Sequence, residues 1–299
     1  MSRYVSTLSR VMTLTDVSDL TSLSWDTVKG IVQKQLQHDY GQPRLKDLKY
    51  LAVDEIYVGK RKKFYTVVLD LETGRIVWVG HGRGQAALGK FWRRLRLSKA
   101  KIQAVAMDMS GAYWAAVLEH LPGAAVVFDR FHIIKLMNEK LDDLRRALVR
   151  EATGAMRQTI KGTRYLLLTR AAHLEKEKLP KLEDALKLNQ PLSQAYYLKE
   201  ELGLLWEQPT RAAMEDFLRQ WCQRAMDTGI ALLRQMAKTL LLHASGILSW
   251  WDHRLNSGKM EGVNHKIKTL TRQAYGYRDE AFFILKLLSL HHARIKLVG

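Results

Sequence analysis

Between residues 51 and 129 the residue pattern leaves few folds open. Three runs rich in β-branched and aromatic residues, LAVDEIYV, KFYTVVLDL and RIVWVG, follow in quick succession. Turns are predicted at Gly59-Lys60-Arg61 and Glu72-Thr73-Gly74. A helical pattern over residues 85–97 separates them from a fourth run, IQAVAMD. A second helical pattern, over 112–120, leads to a fifth run, AAVVF, which ends at Asp129. A strand reached through a helical crossover lies parallel to its partner, so the first and fourth runs can sit side by side in mid-sheet. Their C-terminal ends then open on one crevice.

This βββαβαβ order is that of the ribonuclease H-like fold. Two carboxylates interrupt its apolar strands: Asp54 in the first and Asp108 at the end of the fourth. Burying such charges is costly, whereas two of them converging on a divalent cation are neutralised by it. Each alone also fits a solvated strand end, Asp108 especially, since Ser110-Gly111 follows as a helix start. As a pair separated by a βββαβ unit they point to a metal site.

From about residue 133 to 250 strand patterns are missing. Amphipathic helical segments broken by Pro180, Pro191 and Pro209 predict an all-helical insertion, with Trp206, Trp221, Trp250 and Trp251 in its core. Beyond it, a helix over residues 259–273 carries Val263, Ile267, Leu270 and Ala274 on one stripe and Glu261, His265, Lys268 and Arg272 on another. The stripes are roughly 200° apart, so one packs on the sheet and the other faces a ligand. Glu261 is the lone acid on that basic face; it also fits an ordinary salt bridge to His265 or Lys268. Gly262 costs about 1 kcal/mol relative to Ala in a helix interior, which predicts a close backbone approach there.

The first 47 residues read as short helices, at about 4–12 and 15–20, then a helix N-capped by Ser24 that carries Val28, Ile31, Val32 and Leu36. In helix-turn-helix geometry Trp25, Asp26, Thr27 and Lys29 would face the DNA major groove. A small helical cap on the main domain is the alternative. The net charge of +18 favours a polyanionic partner. It is uneven: residues 60–101 hold twelve Lys and Arg, among them Lys60, Arg61 and Lys62, against two acids. The single cysteine, Cys222, excludes an internal disulfide and paired-cysteine zinc sites and fits a reducing compartment. No apolar run approaches the roughly 20 residues of a membrane span. These features predict a cytoplasmic protein with no membrane partner.

The strings MEGVNHKIKTLTRQAYGYRDEAFF, KGTRYLLLTR, YLKEELGLLW and VVFDRFHIIK resemble the DDE transposases of bacterial insertion sequences, specifically the ISL3 family. The resemblance implies an α/β chain with a ribonuclease H-like core, a mixed five-stranded sheet interrupted by a large helical insertion and preceded by a helix-turn-helix. The expected divisions are 1–47, 48–135 for the first part of the core, 136–250 for the insertion and 251–299 for the last part. Asp54, Asp108 and Glu261 are implied as catalytic and metal-binding residues. Asp129 and His132 resemble a D-x-x-H element, which, with Asn264 and His265, would support the site from behind. Members of this family usually begin with a cysteine-rich zinc-binding segment; this sequence carries no CxxC, which implies a truncated or compact member.

The implied reaction is DNA cleavage and strand transfer at the element's ends. Two Mg²⁺ ions about 3.5–4 Å apart, replaceable by Mn²⁺, suit the in-line attacks at phosphorus. Lys268, Arg272 and the 60–101 surface would hold phosphates. Double-stranded DNA, as terminal inverted repeats and as target, is the expected partner, with a homodimer or higher oligomer forming on it. Two alternatives share these features: a ribonuclease H-like nuclease without strand transfer, and a non-catalytic DNA-binding regulator of the element.

Overall fold

The computed structural model describes residues 1–58, 63–255, 258–274 and 276–291. The chain divides into two compact units, Met1–Ala125 with Ser257–Gly299, and Val126–Asn256.

The first unit opens with α1 (Ser2–Leu8), α2 (Leu14–Thr21) and α3 (Trp25–Tyr40). The first helix stops short of the expected residue 12. Thr13 starts α2 with a capping box, its side chain accepting from the Asp16 amide at 3.1 Å, so the chain turns before it. Ser24 caps α3 as expected, accepting from the Thr27 amide. Val5, Val17, Val28 and Val32 close a small core.

The strands β1 (Tyr50–Val58), β2 (Lys63–Asp70), β3 (Ile76–His81), β4 (Ala104–Met107) and β5 (Ala125–Phe128) form a sheet in the order β3-β2-β1-β4-β5. β1 runs antiparallel to β2 and parallel to β4. This is the mixed ribonuclease H-like sheet expected from the strand pattern. Helices α4 (Gln85–Ser98) and α5 (Gly111–His120) supply the crossovers. Both pack on the sheet face that carries Glu55, Thr66 and Gly80. There the Tyr113 hydroxyl meets Glu55 and Thr66, and a Cβ at Gly80 would lie 2.1 Å from the Ala87 carbonyl oxygen.

The second unit is helical: α6 (Arg130–Glu151), α7 (Gly154–Ile160), α8 (Arg164–Leu168), α9 (Leu179–Leu188), α10 (Gln190–Leu202), α11 (Arg211–Asp227), α12 (Ala231–Leu242) and α13 (Ala244–His253). Trp206 and Trp221 are buried in it, and the Trp221 indole donates to the Leu198 carbonyl at 2.8 Å. Trp250 and Trp251 are not core residues. Both are half-buried at the end of α13, where Arg254 lies over their rings, 4.6 and 3.6 Å from the centroids. Gly246 on α13 permits close packing, since a Cβ there would fall 2.5 Å from the Phe128 ring.

Back in the first unit, α14 (Gly258–Gln273) and α15 (Glu280–Leu288) cover the other face of the sheet. Phe283 packs edge-on against Tyr65 of β2, and Phe282 joins the valine core of α1–α3.

Candidate active site

Strand alternation puts Asp54 and Glu55 on opposite faces of β1. The parallel register pairs Tyr50 with Ala104, Leu51 with Val105 and Ala52 with Ala106. Asp54 lies two residues beyond Ala52 on β1, and Asp108 lies just past the end of β4 at Met107; continued by two residues, the register would bring them level. The 54-residue spacing of the two aspartates therefore equals the strand register.

Helix α14 lies on that face, held at two points. Lys259 Nζ donates to the carbonyls of Leu71 and Glu72 at 2.7 and 2.8 Å. Asn264 Nδ2 donates to Asp54 Oδ2 at 2.7 Å. The other oxygen, Asp54 Oδ1, accepts from the Glu55 amide at 2.7 Å, so both carboxylate oxygens are oriented. Asp108 Oδ1 accepts from the Ser110 amide at 3.1 Å, which shapes the turn into α5.

The buried stripe of α14 is Met260, Val263 and Ile267. Ala274, expected to extend it, is exposed and lies past the helix end. Asn264 borders the stripe, and Glu261, one turn earlier, lies about 60° further round on the exposed side. His265, Lys268 and Arg272 are exposed on the same side. Gly262 does not mark a close approach within the protein: a Cβ there would meet nothing within 4 Å, because the residue faces outward.

Asp54 lies on the sheet face that α14 covers, Asp108 follows β4, and Glu261 is on the exposed side of α14. Among the described residues, no three His, Cys, Asp or Glu side chains gather closely enough to hold a metal ion. Carboxylates repel one another, and Glu261 is an exposed side chain free to turn outward. The donor set is nonetheless all oxygen, which suits Mg²⁺, an ion that binds through one or two carboxylates and keeps several waters. Asn264 Oδ1 adds a buried acceptor without a partner beside Asp54.

Asp129 and His132 belong to the second unit. There Asp129 caps α6, accepting from the Phe131 amide at 3.0 Å, and its other oxygen lies 3.6 Å from His132 Nε2. Of the residues expected to read DNA, Trp25 and Thr27 are exposed at the start of α3. Lys29 is turned inward: it pairs with Asp279 at 2.7 Å, and its ammonium lies 5.6 and 5.8 Å from the ring centroids of Trp25 and Phe282. Its charge is thereby committed within the protein. Lys60, Arg61 and Lys62 lie outside the described residues. Lys90, Arg93 and Arg96 are exposed on α4, across the sheet from Lys268 and Arg272.

Sequence reasoning missed the support behind Asp54. On the opposite face the buried Tyr113 hydroxyl donates to Glu55 Oε1 at 2.8 Å, pairs with Thr66 Oγ1 at 2.8 Å and accepts from the Gly84 amide at 3.0 Å. Burial is the main cause that pushes its pKa above the ordinary tyrosine value, so the phenol stays a donor. This network braces the β1 backbone at the candidate site, and no local pattern announces it.

Residues 51–287 match the ISL3 family of DDE proteins, described as transposase. The transposase for insertion sequence element IS1001 of Bordetella parapertussis is 34% identical over 275 residues, covering 91% of this chain and 68% of that protein. The transposase for IS1557 of Mycobacterium tuberculosis is 29% identical over 322 residues, covering 99% of this chain and 72% of that protein. Among solved structures, a chain of the Drosophila P element transposase strand transfer complex shares the fold, with a TM-score of 0.51 at 12% identity, covering 99% of this chain and 92% of that one. With its sheet, its helical unit and most of its length matched, the chain belongs to the ISL3 family of DDE transposases.

Proposed function

We propose that the chain cuts DNA at the ends of an insertion sequence and joins the freed ends to target DNA, with Asp54, Asp108 and Glu261 as its catalytic carboxylates. The observation that supports this reading is the β1–β4 register, which pairs Ala52 with Ala106 and, continued by two residues, would bring Asp54 level with Asp108, with Asn264 of α14 bonded to Asp54. These three residues would hold Mg²⁺ or, in its place, Mn²⁺. Bound there, the ions supply charge neutralisation at the phosphate and activation of the attacking oxygen.

The chain's own groups do the rest. Asn264 holds one Asp54 oxygen by its hydrogen bond, while the Glu55 amide holds the other. Lys268 and Arg272, one and two turns beyond Asn264, offer charge-assisted hydrogen bonds to phosphates. Trp25 and Thr27 at the exposed start of α3 would meet duplex DNA. Asp129 and His132 would serve as supporting residues, and a homodimer or larger assembly would form on paired ends.

The test is cleavage and joining of DNA that bears the element's ends, with Asp54→Asn, Asp108→Asn and Glu261→Gln made singly. Each substitution is expected to abolish both steps. Chelation with EDTA is expected to do the same, with Mg²⁺ or Mn²⁺ restoring activity. A variant that stays active loses its residue's assigned role. Ends that are cut and never joined would favour a nuclease instead.

A further inference from the structure

The second unit contains a side-chain cluster that the reaction above does not use. Asp142, in the middle of α6, is 3% exposed and is surrounded by three guanidinium groups. Arg145 bonds one carboxylate oxygen at 2.7 and 2.8 Å. Arg146 bonds the other at 2.6 and 2.9 Å, and Arg164 of α8 approaches it at 3.4 Å. One guanidinium neutralises one carboxylate, and Arg164 alone would tie α8 to α6. With Asp143 3.9 Å from Arg146, three guanidinium groups against two carboxylates leave a net charge of about +1, an excess that an anionic ligand neutralises.

The cluster borders a cavity of about 330 Å³, lined by Arg146, Arg164, Asn138 and Phe131 together with the oppositely charged Lys135 and Glu139. That is the lower end of the roughly 300–1,000 Å³ of ligand pockets, too small for a duplex and large enough for one nucleotide. The Phe131 ring is 50% exposed, a large apolar face that nothing in its own unit covers fully. Asn138 Oδ1 is buried with no hydrogen-bond partner, a cost that a donor from a ligand would remove. An aromatic face, an unpaired amide oxygen and surplus positive charge together match a base with its phosphate.

We propose that this cavity captures one unpaired nucleotide of a DNA strand, its base against Phe131 and Asn138 and its phosphate on Arg146 and Arg164. Asp142 acts as a positioning residue that fixes the two guanidinium forks. The inference rests on the reading of the chain as an enzyme that acts on DNA, but it uses none of the three catalytic acids.

Fluorescence anisotropy with the full chain tests it, using a single-stranded oligonucleotide and the same strand made abasic, at one salt concentration. The unsubstituted protein is expected to bind the intact strand about tenfold more tightly. Phe131→Ala and Asn138→Ala should each narrow that preference while leaving abasic binding unchanged. Arg164→Gln should weaken both strands alike. Phe131 and Arg164 are half exposed, so these changes leave the fold intact. Equal affinity of the unsubstituted protein for the two strands, or a preference that survives both the Phe131 and Asn138 changes, overturns the pocket. Asp54→Asn separates the two readings: it should lose cleavage and keep the base preference.

Discussion

The hydrogen bond from Asn264 Nδ2 to Asp54 Oδ2 joins residues 210 positions apart and fixes one carboxylate of the candidate site. A partner that orients a ligating carboxylate is worth about 10–100-fold in activity when removed. Asn264→Ala is therefore expected to slow end cleavage by about that factor while changing stability by only about 1 kcal/mol. Rate measurements beside a denaturation curve check both; full activity in the variant would remove Asn264 from the site. Gly262 leads to the opposite expectation for stability. A Cβ there meets open space, so Gly262→Ala should stabilise by about 1 kcal/mol through helix propensity alone. A raised melting temperature confirms it, and a lowered one would show that the position is confined after all.

Helices α3 and α15 illustrate how whole elements are joined in the first unit. Asp279 caps α15, accepting from the Phe282 amide at 2.9 Å, and pairs with Lys29 of α3 at 2.7 Å. The hydrogen bond from Lys29, followed by that from the Phe282 amide, holds the Asp279 carboxyl below the usual carboxylate range. A group depressed in the folded state contributes stability above its unfolded value, about pH 4, and loses it as pH falls through the folded value. Asp279→Ala should thus cost about 1 kcal/mol of capping near neutral pH. The gap between variant and parent should close below about pH 4, as urea unfolding at pH 7 and pH 3 would read. A gap that stays constant would mean that Lys29 does not act on the folded carboxylate. Helix α14 depends on a comparable pair of anchors, Lys259 and Asn264, which bracket Glu261 and set the side of the helix it occupies.

Across the whole molecule, charge is the dominant property. A net charge of +18, with exposed cations on both α4 and α14, predicts DNA binding dominated by counterion release. Affinity for duplex DNA should fall linearly on logarithmic axes as salt rises, by about a thousandfold or more between about 50 and 200 mM if six or more phosphates are contacted. A flat salt response would contradict the assigned role of these cations. The sheet was legible because alternation and crossover handedness are local rules: they mark the strands and put β1 beside β4. The amphipathic stripe of α14 was legible for the same reason, apart from Ala274 at its end. The Lys29 ion pair was not legible, because its spacing on α3 is that of an exposed helix residue and its partner Asp279 is 250 positions away. Tyr113 gave no signal, since an aromatic residue early in an apolar helix looks like core until Glu55, Thr66 and the Gly84 amide converge on it. By itself, then, the sequence determined the order of elements and the adjacency of the first and fourth strands, because these follow from periodicity within a few residues and from the handedness of crossovers. Tertiary structure alone decided which distant groups meet Asp54, which cations share a face and how Arg164 reaches Asp142, because such contacts depend on packing between segments far apart in the chain.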